Sequence, residues 1–157
     1  TQDESITYNL ILNKTKNAII TYECQKDKYI NLETIKTKSK ITTKNKEINI
    51  NLEISGNINE STCNINYKNQ KTMKQTETEI SKYLENKIKK DIDNIRTKYN
   101  SDIFGFLDII YKKDYNTYKN IKETWYKEDY KNIKINVSTK VNIIGIGNVS
   151  EGINEKN

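Results

Sequence analysis

Few residues in this 157-residue sequence could do chemistry, and their spacing excludes most of it. There is no histidine, which removes imidazole bases, any Ser-His-Asp or Cys-His arrangement and most zinc sites. Glu77 and Glu79, like Asp91 and Asp93, stand two apart in a helical region, so each pair diverges around the axis and cannot share a proton. Glu128 and Asp129 are adjacent, but they fall in a polar turn and read as solvated. Gly145-Ile146-Gly147-Asn148 resembles part of a phosphate-binding glycine loop. It lacks the third glycine, and no helix or acidic residue stands in place behind it, so it reads as a strand with a flexible exit. No nucleophile–base pair remains. The sequence implies no catalytic residue, no metal, no cofactor and no enzyme.

Cys24 and Cys63 have neither CxxC spacing nor histidine partners, so zinc and thioredoxin-type chemistry fail. A single disulfide is open to them, but two small buried hydrophobes is the favoured reading. The charge is modest: 27 Lys and Arg against 21 Asp and Glu, a net +6. Eleven tyrosines beside that charge raise nucleic acid as a partner. Against it, the lysines are spread along every element, Arg96 is the only arginine, and the tyrosines fall mostly at core parity or on the apolar faces of helices, so no nucleic acid is expected. Abundant Ile, Asn, Lys and Tyr with scarce Ala, Arg and Gly is also what AT-rich codons encode, which accounts for much of the lysine. A basic binding module for anionic surfaces, lipid headgroups or nucleic acid, stays open as the alternative to a protein-docking domain.

The elements follow from periodicity. Ile6, Tyr8, Leu10 and Leu12 alternate with polar residues, Ile11 excepted, and predict a first strand. Ala18, Ile20, Tyr22 and Cys24 predict a second. Tyr29 to Thr43 predicts a long third strand whose apolar parity changes between Leu32 and Ile35, the signature of a bulge. From Glu47 to Asn59, Ile48, Ile50, Leu52, Ile54 and Ile58 face one way and polar residues the other. That alternation predicts an antiparallel sheet with one wet face.

The period changes near Met73. Ile80, Leu84, Ile88, Ile92, Ile95 and Tyr99 predict a long amphipathic helix, ended by Asn100-Ser101-Asp102. Ser101 or Asp102 could cap a short apolar helix over Ile103 to Tyr111, in which Gly105 costs about 1 kcal/mol against Ala and implies close packing. Asp114 is the expected cap of a third helix with Tyr115, Tyr118, Ile121 and Trp125 on one face. Ile133 to Ile143 alternates as a last strand, and residues 146–157 read as a polar, fraying tail. The expected fold is therefore one α+β domain over residues 1–157: an antiparallel sheet in the order β-β-β-β-α-α-α-β, with one long and two shorter helices on one face.

With these elements in place, the chain resembles a known family. Asp102-Ile103-Phe104-Gly105-Phe106 follows a long amphipathic helix, Tyr118-Lys119 and Trp125 come next, and an alternating strand ends in glycine. These features resemble the C-terminal domain of the Ger(x)C family, the C subunits of bacterial spore germinant receptors. The resemblance is strongest from Ile80 to Gly147. Departures are Leu107 where the family has a small residue, Asp114 near its proline, and Tyr118 where it has tryptophan. Asp102, Phe104, Gly105, Phe106, Tyr118 and Trp125 then stand as family-motif residues with structural or partner-contact roles. The resemblance implies a non-enzymatic receptor subunit, a lipoprotein peripheral to the outer face of the spore inner membrane, docked to the integral A and B subunits. It also fits an AT-rich, clostridium-like source. The chain starts at Thr1 with no signal-peptide pattern, and neither cysteine suits a lipid anchor, so a fragment without the anchoring segment is expected.

Overall fold

The computed structural model describes residues 2–147. The first element is a helix, α1 (Gln2–Ile11), where alternation predicted a strand. The exception to that alternation is the explanation. Thr7, Leu10 and Ile11 are buried together, at the i, i+3, i+4 spacing of a helical stripe. Thr7 Oγ1 also donates to Asp91 Oδ2 on the long helix at 2.5 Å, a buried tether that a strand here would not form.

Three antiparallel strands follow, β1 (Ile19–Gln25), β2 (Lys28–Lys44) and β3 (Glu47–Ser61), adjacent in that order in one sheet. The expected bulge is present: the β2–β3 register shifts between Thr34 and Lys36, leaving Ile35 unpaired and exposed. Ile48, Ile50, Leu52, Ile54 and Ile58 of β3 are all buried, as their parity predicts. Gly56 continues that row because a Cβ there would lie 2.5 Å from the Glu33 carbonyl oxygen.

The long helix is α2 (Gln70–Lys98), N-capped by Asn69, whose side chain accepts from Thr72 N–H. It is followed by α3 (Phe106–Lys113), α4 (Tyr115–Ile121), a π-helical turn over Trp125–Asp129 and the short α5 (Tyr130–Asn132). The last strand, β4 (Lys134–Ile146), lies beside β3 and runs parallel to it. The sheet is thus mixed, which corrects the all-antiparallel expectation. Alternation reports which face is wet and says nothing about direction; the helical segment between β3 and β4 is long enough for a parallel crossover. The α+β class stands, with strands and helices segregated along the chain. The described residues close the fold at Gly147, whose N–H bonds the Ile58 carbonyl at 2.7 Å. Ile146 is still in the strand, and the rest of the expected tail lies outside the described residues.

Helix α2 packs its apolar stripe on the buried face of the sheet and touches both edge strands. On the β1 side, the Tyr22 and Tyr83 ring centroids are 5.4 Å apart. On the β4 side, the backbone N–H groups of Thr139, Val141 and Ile143 donate to Glu85 Oε1, Ser81 Oγ and Glu77 Oε1, each at 2.9 Å. Four helical residues rise about 6 Å and two strand residues about 6.6 Å, so the acceptors keep step with alternate donors. Side chains of α2 therefore close the open edge of β4, which would otherwise offer a pairing template.

Cys24 and Cys63 form a disulfide with Cα atoms 6.4 Å apart. This corrects the favoured reading of two free buried thiols. Burial alone did not separate the two states: Cys63 is buried in either, and the bond depends on β1 and the chain after β3 meeting across the start of β2.

Arg96, the only arginine, is the main polar tie at the other end of α2. Its Nη1 donates to the carbonyls of Tyr130 at 3.2 Å and Ile133 at 2.8 Å, and its Nη2 pairs with Asp93. These carbonyls stand at the start of α5 and just before β4, so one guanidinium fixes where the last strand begins. Arg96→Met is expected to cost about 2–4 kcal/mol in chemical denaturation, because two partly buried acceptors lose a charged donor. A cost under about 0.5 kcal/mol would mean that water serves those carbonyls equally well.

Candidate docking surface

Four of the six carboxylates considered for catalysis have structural work. Glu77 serves the β4 edge, Asp91 is buried against Thr7 and Lys87, and Asp93 pairs with Arg96. Asp129 accepts from the Thr124 hydroxyl. Gly145 pairs with Asn57 in the sheet, so the Gly-Ile-Gly segment is strand and not a phosphate loop. Among the described residues no group of three or more His, Cys, Asp or Glu could hold a metal ion.

The motif residues build one corner of the core. Asp102 Oδ1 and Oδ2 accept from the N–H groups of Phe106 and Leu107 at 3.0 and 2.8 Å, serving first-turn donors of α3, which begins at Phe106 with Gly105 as its N-cap and not at the expected Ile103. Gly105 stands just before that helix at φ +70, where glycine is favoured. A Cβ there would meet nothing within 4 Å, so the expected close packing is wrong and backbone conformation is the reason for glycine. Phe104 and Phe106 are both buried and stack with centroids 5.1 Å apart. Trp125 is fully buried in the π-helical turn, 5.5 Å from the Tyr130 ring. Burial pushes the Tyr130 hydroxyl well above its usual range.

Tyr118 is the motif residue that leads to the surface. Asp114 accepts from Thr117 N–H at 3.1 Å and from its hydroxyl at 2.7 Å, capping α4 and fixing the α3–α4 corner. These bonds hold the Asp114 carboxyl below the usual carboxylate range. The corner brings Tyr111 from the last turn of α3 against Tyr115 and Tyr118 of α4, with centroid separations of 4.9 Å (Tyr111–Tyr118), 5.8 Å (Tyr111–Tyr115) and 5.9 Å (Tyr115–Tyr118). Lys119 lies over the Tyr115 ring at 5.5 Å. Tyr111 is 49% exposed and Tyr115 55%, while Tyr118 is half-buried beneath them. Sequence periodicity placed Tyr115 on the apolar face of one helix together with Trp125. The break after Ile121 separates them, burying Trp125 and turning Tyr115 outward. Tyr111, at the end of a predicted helix, was not singled out; its signal was the four-residue spacing to Tyr115 across the Asp114 cap.

A second apolar recess, about 440 Å³, lies between α1 and the end of α2 and is lined by Tyr8, Ile95, Tyr99 and Ile103 with Glu4, Ser5 and Asn9. It is open and shallow, and its rim is polar. Of the two features, the tyrosine cluster has the composition of a protein-contact centre, where aromatic rings supply large rigid area. Among the described residues no helix is long and apolar enough to cross a membrane.

Comparison with known proteins agrees with this architecture. A family model described as "Spore germination B3/GerAC like, C-terminal" matches residues 1–147. The fold is similar to that in "Crystal Structure of the GerBC protein", with a TM-score of 0.71 and 19% identity, over 92% of this chain and 46% of that one. The chain thus spans about half the length of that protein. Comparison with curated proteins finds none that match.

Proposed function

The chain belongs to the spore germination B3/GerAC-like C-terminal family, and from that premise we propose that it is a non-enzymatic part of a nutrient germinant receptor, acting by protein–protein docking with the integral A and B subunits. The exposed tyrosine cluster at the α3–α4 corner is the docking surface, and its exposure is the observation that carries this choice over the other faces. Three rings held in mutual contact by a capped corner lose little side-chain freedom on binding, which favours such a patch as an anchor. The whole protein would be a lipoprotein on the outer face of the spore inner membrane. The Cys24–Cys63 disulfide supports that side, because such bonds persist outside the reducing cytoplasm.

The test replaces the two exposed rings together, Tyr111→Ser and Tyr115→Ser, in the full-length protein in spores. Both side chains are about half exposed, so the fold should lose little. Co-purification with the A and B subunits is expected to weaken by at least about tenfold, as for loss of a contact centre. Nutrient-triggered germination should fall with it while the protein level stays constant on immunoblots. Association and germination at wild-type strength would remove this surface from consideration, and full germination without the gene would remove the receptor role.

A further inference from the structure

The lysines that looked dispersed along the sequence are gathered by the sheet. Register places Lys36, Ser55 and Asn142 in one row across β2, β3 and β4; Lys38, Glu53 and Lys140 in the next; then Lys40, Asn51 and Ser138. Thr42, Asn49 and Asn136 follow, and Lys44, Glu47 and Lys134 close the series at the β2–β3 hairpin end. All of these lie on the outer face, away from the helices. The parity change at Ile35 puts Lys36, Lys38 and Lys40 there; without the bulge they would point inward. Six lysines thus face two glutamates, on an area of about 10 by 26 Å from strand geometry. All six are exposed, and among the described residues only Lys134 is held in a salt bridge, to Glu47 at 2.9 Å. The acids Glu33 and Glu60 sit at the opposite end of the same face, bonded to Asn59 and Asn31.

The chemistry of this patch selects its partner. It carries no arginine and no aromatic ring, so it can neither read base edges nor stack bases. Its middle is Thr42, Asn49, Asn51, Asn136 and Ser138, with no large apolar side chain to seat in a protein pocket. What it offers is a lattice of mobile point charges on long stems. That suits a diffuse anionic surface, to which each nearby lysine contributes about 1 kcal/mol. We propose that this end of the outer sheet face is a landing surface for an anionic phospholipid bilayer. It is distinct from the tyrosine cluster, and neither proposal depends on the other.

Vesicle co-sedimentation of the purified chain tests it. Binding to vesicles of phosphatidylglycerol and phosphatidylcholine in equal parts is expected, with little to phosphatidylcholine alone and steep weakening as salt rises. Lys36→Gln, Lys38→Gln and Lys40→Gln together should weaken binding on the order of a hundredfold with the circular-dichroism spectrum unchanged. The same change at Lys71, Lys89 and Lys90, exposed on α2, should cost far less. Four results would overturn the proposal: no binding to the acidic vesicles, equal binding to both vesicle types, equal losses in the two triple variants, or tighter binding to duplex DNA than to the acidic vesicles. So would sheet-lysine-dependent capture of the A and B subunits in uncharged detergent, which would assign the face to a protein.

Discussion

Trp125→Ala is expected to lower the unfolding free energy by about 3–5 kcal/mol, the range for removing a large aromatic side chain from a packed interior. The ring is fully buried, lies against Tyr130, and is held by the π-helical turn that joins the helical segment to the last strand. Its loss would leave a cavity where α5 approaches β4, so the parallel strand should loosen with it. Trp125→Phe separates packing from polarity. It keeps most of the buried area and removes an indole N–H that has no hydrogen-bond partner among the described residues, so it should cost less than half as much. Urea denaturation of both variants checks this. A loss below about 1 kcal/mol for the alanine variant would mean that the indole is not buried in solution.

Loss of the disulfide should be of similar size. Cys24 and Cys63 are 39 residues apart in sequence, and closing a loop of that length restricts the unfolded chain by about 4 kcal/mol in the chain-entropy model. Replacing both by serine should therefore lower Tm by roughly 10 °C for a domain of this size. The effect should be centred on β1, an edge strand whose sheet pairing is to β2 alone. Hydrogen exchange should quicken in β1 before α2. Equal stability of the double-serine variant, or alkylation of both thiols in native protein without reductant, would show that the bond is absent.

These two predictions mark different degrees of legibility. Trp125 as a core residue followed from its type and place at the end of an apolar stripe, and burial agrees. The disulfide needed two segments far apart in sequence to be neighbours, which no local period reports. The same division runs through the candidate surfaces. The bonds at the starts of α3 and α4 were visible because Asp102 and Asp114 act on N–H groups a few residues away. The tyrosine cluster was not visible, because it forms across a corner and depends on which side of each helix the core occupies.

By itself, the sequence determined the absence of imidazole chemistry, the wet and packed faces of β3 and β4, the bulge near Ile35, the extent of α2 and the Asp102 and Asp114 bonds at the starts of α3 and α4. Each is a local property, set by side-chain type at a period of 2 or 3.6. Tertiary structure decided the rest. It chose helix over strand for α1, where Thr7, Leu10 and Ile11 meet the core and Thr7 finds Asp91. It set β4 parallel to β3, paired the cysteines, and gathered Lys36, Lys38 and Lys40 with Lys134 and Lys140 from nearly a hundred residues away. Such choices rest on contacts between distant segments, and alternation is blind to them because it fixes the face a side chain takes and never the strand that will lie beside it.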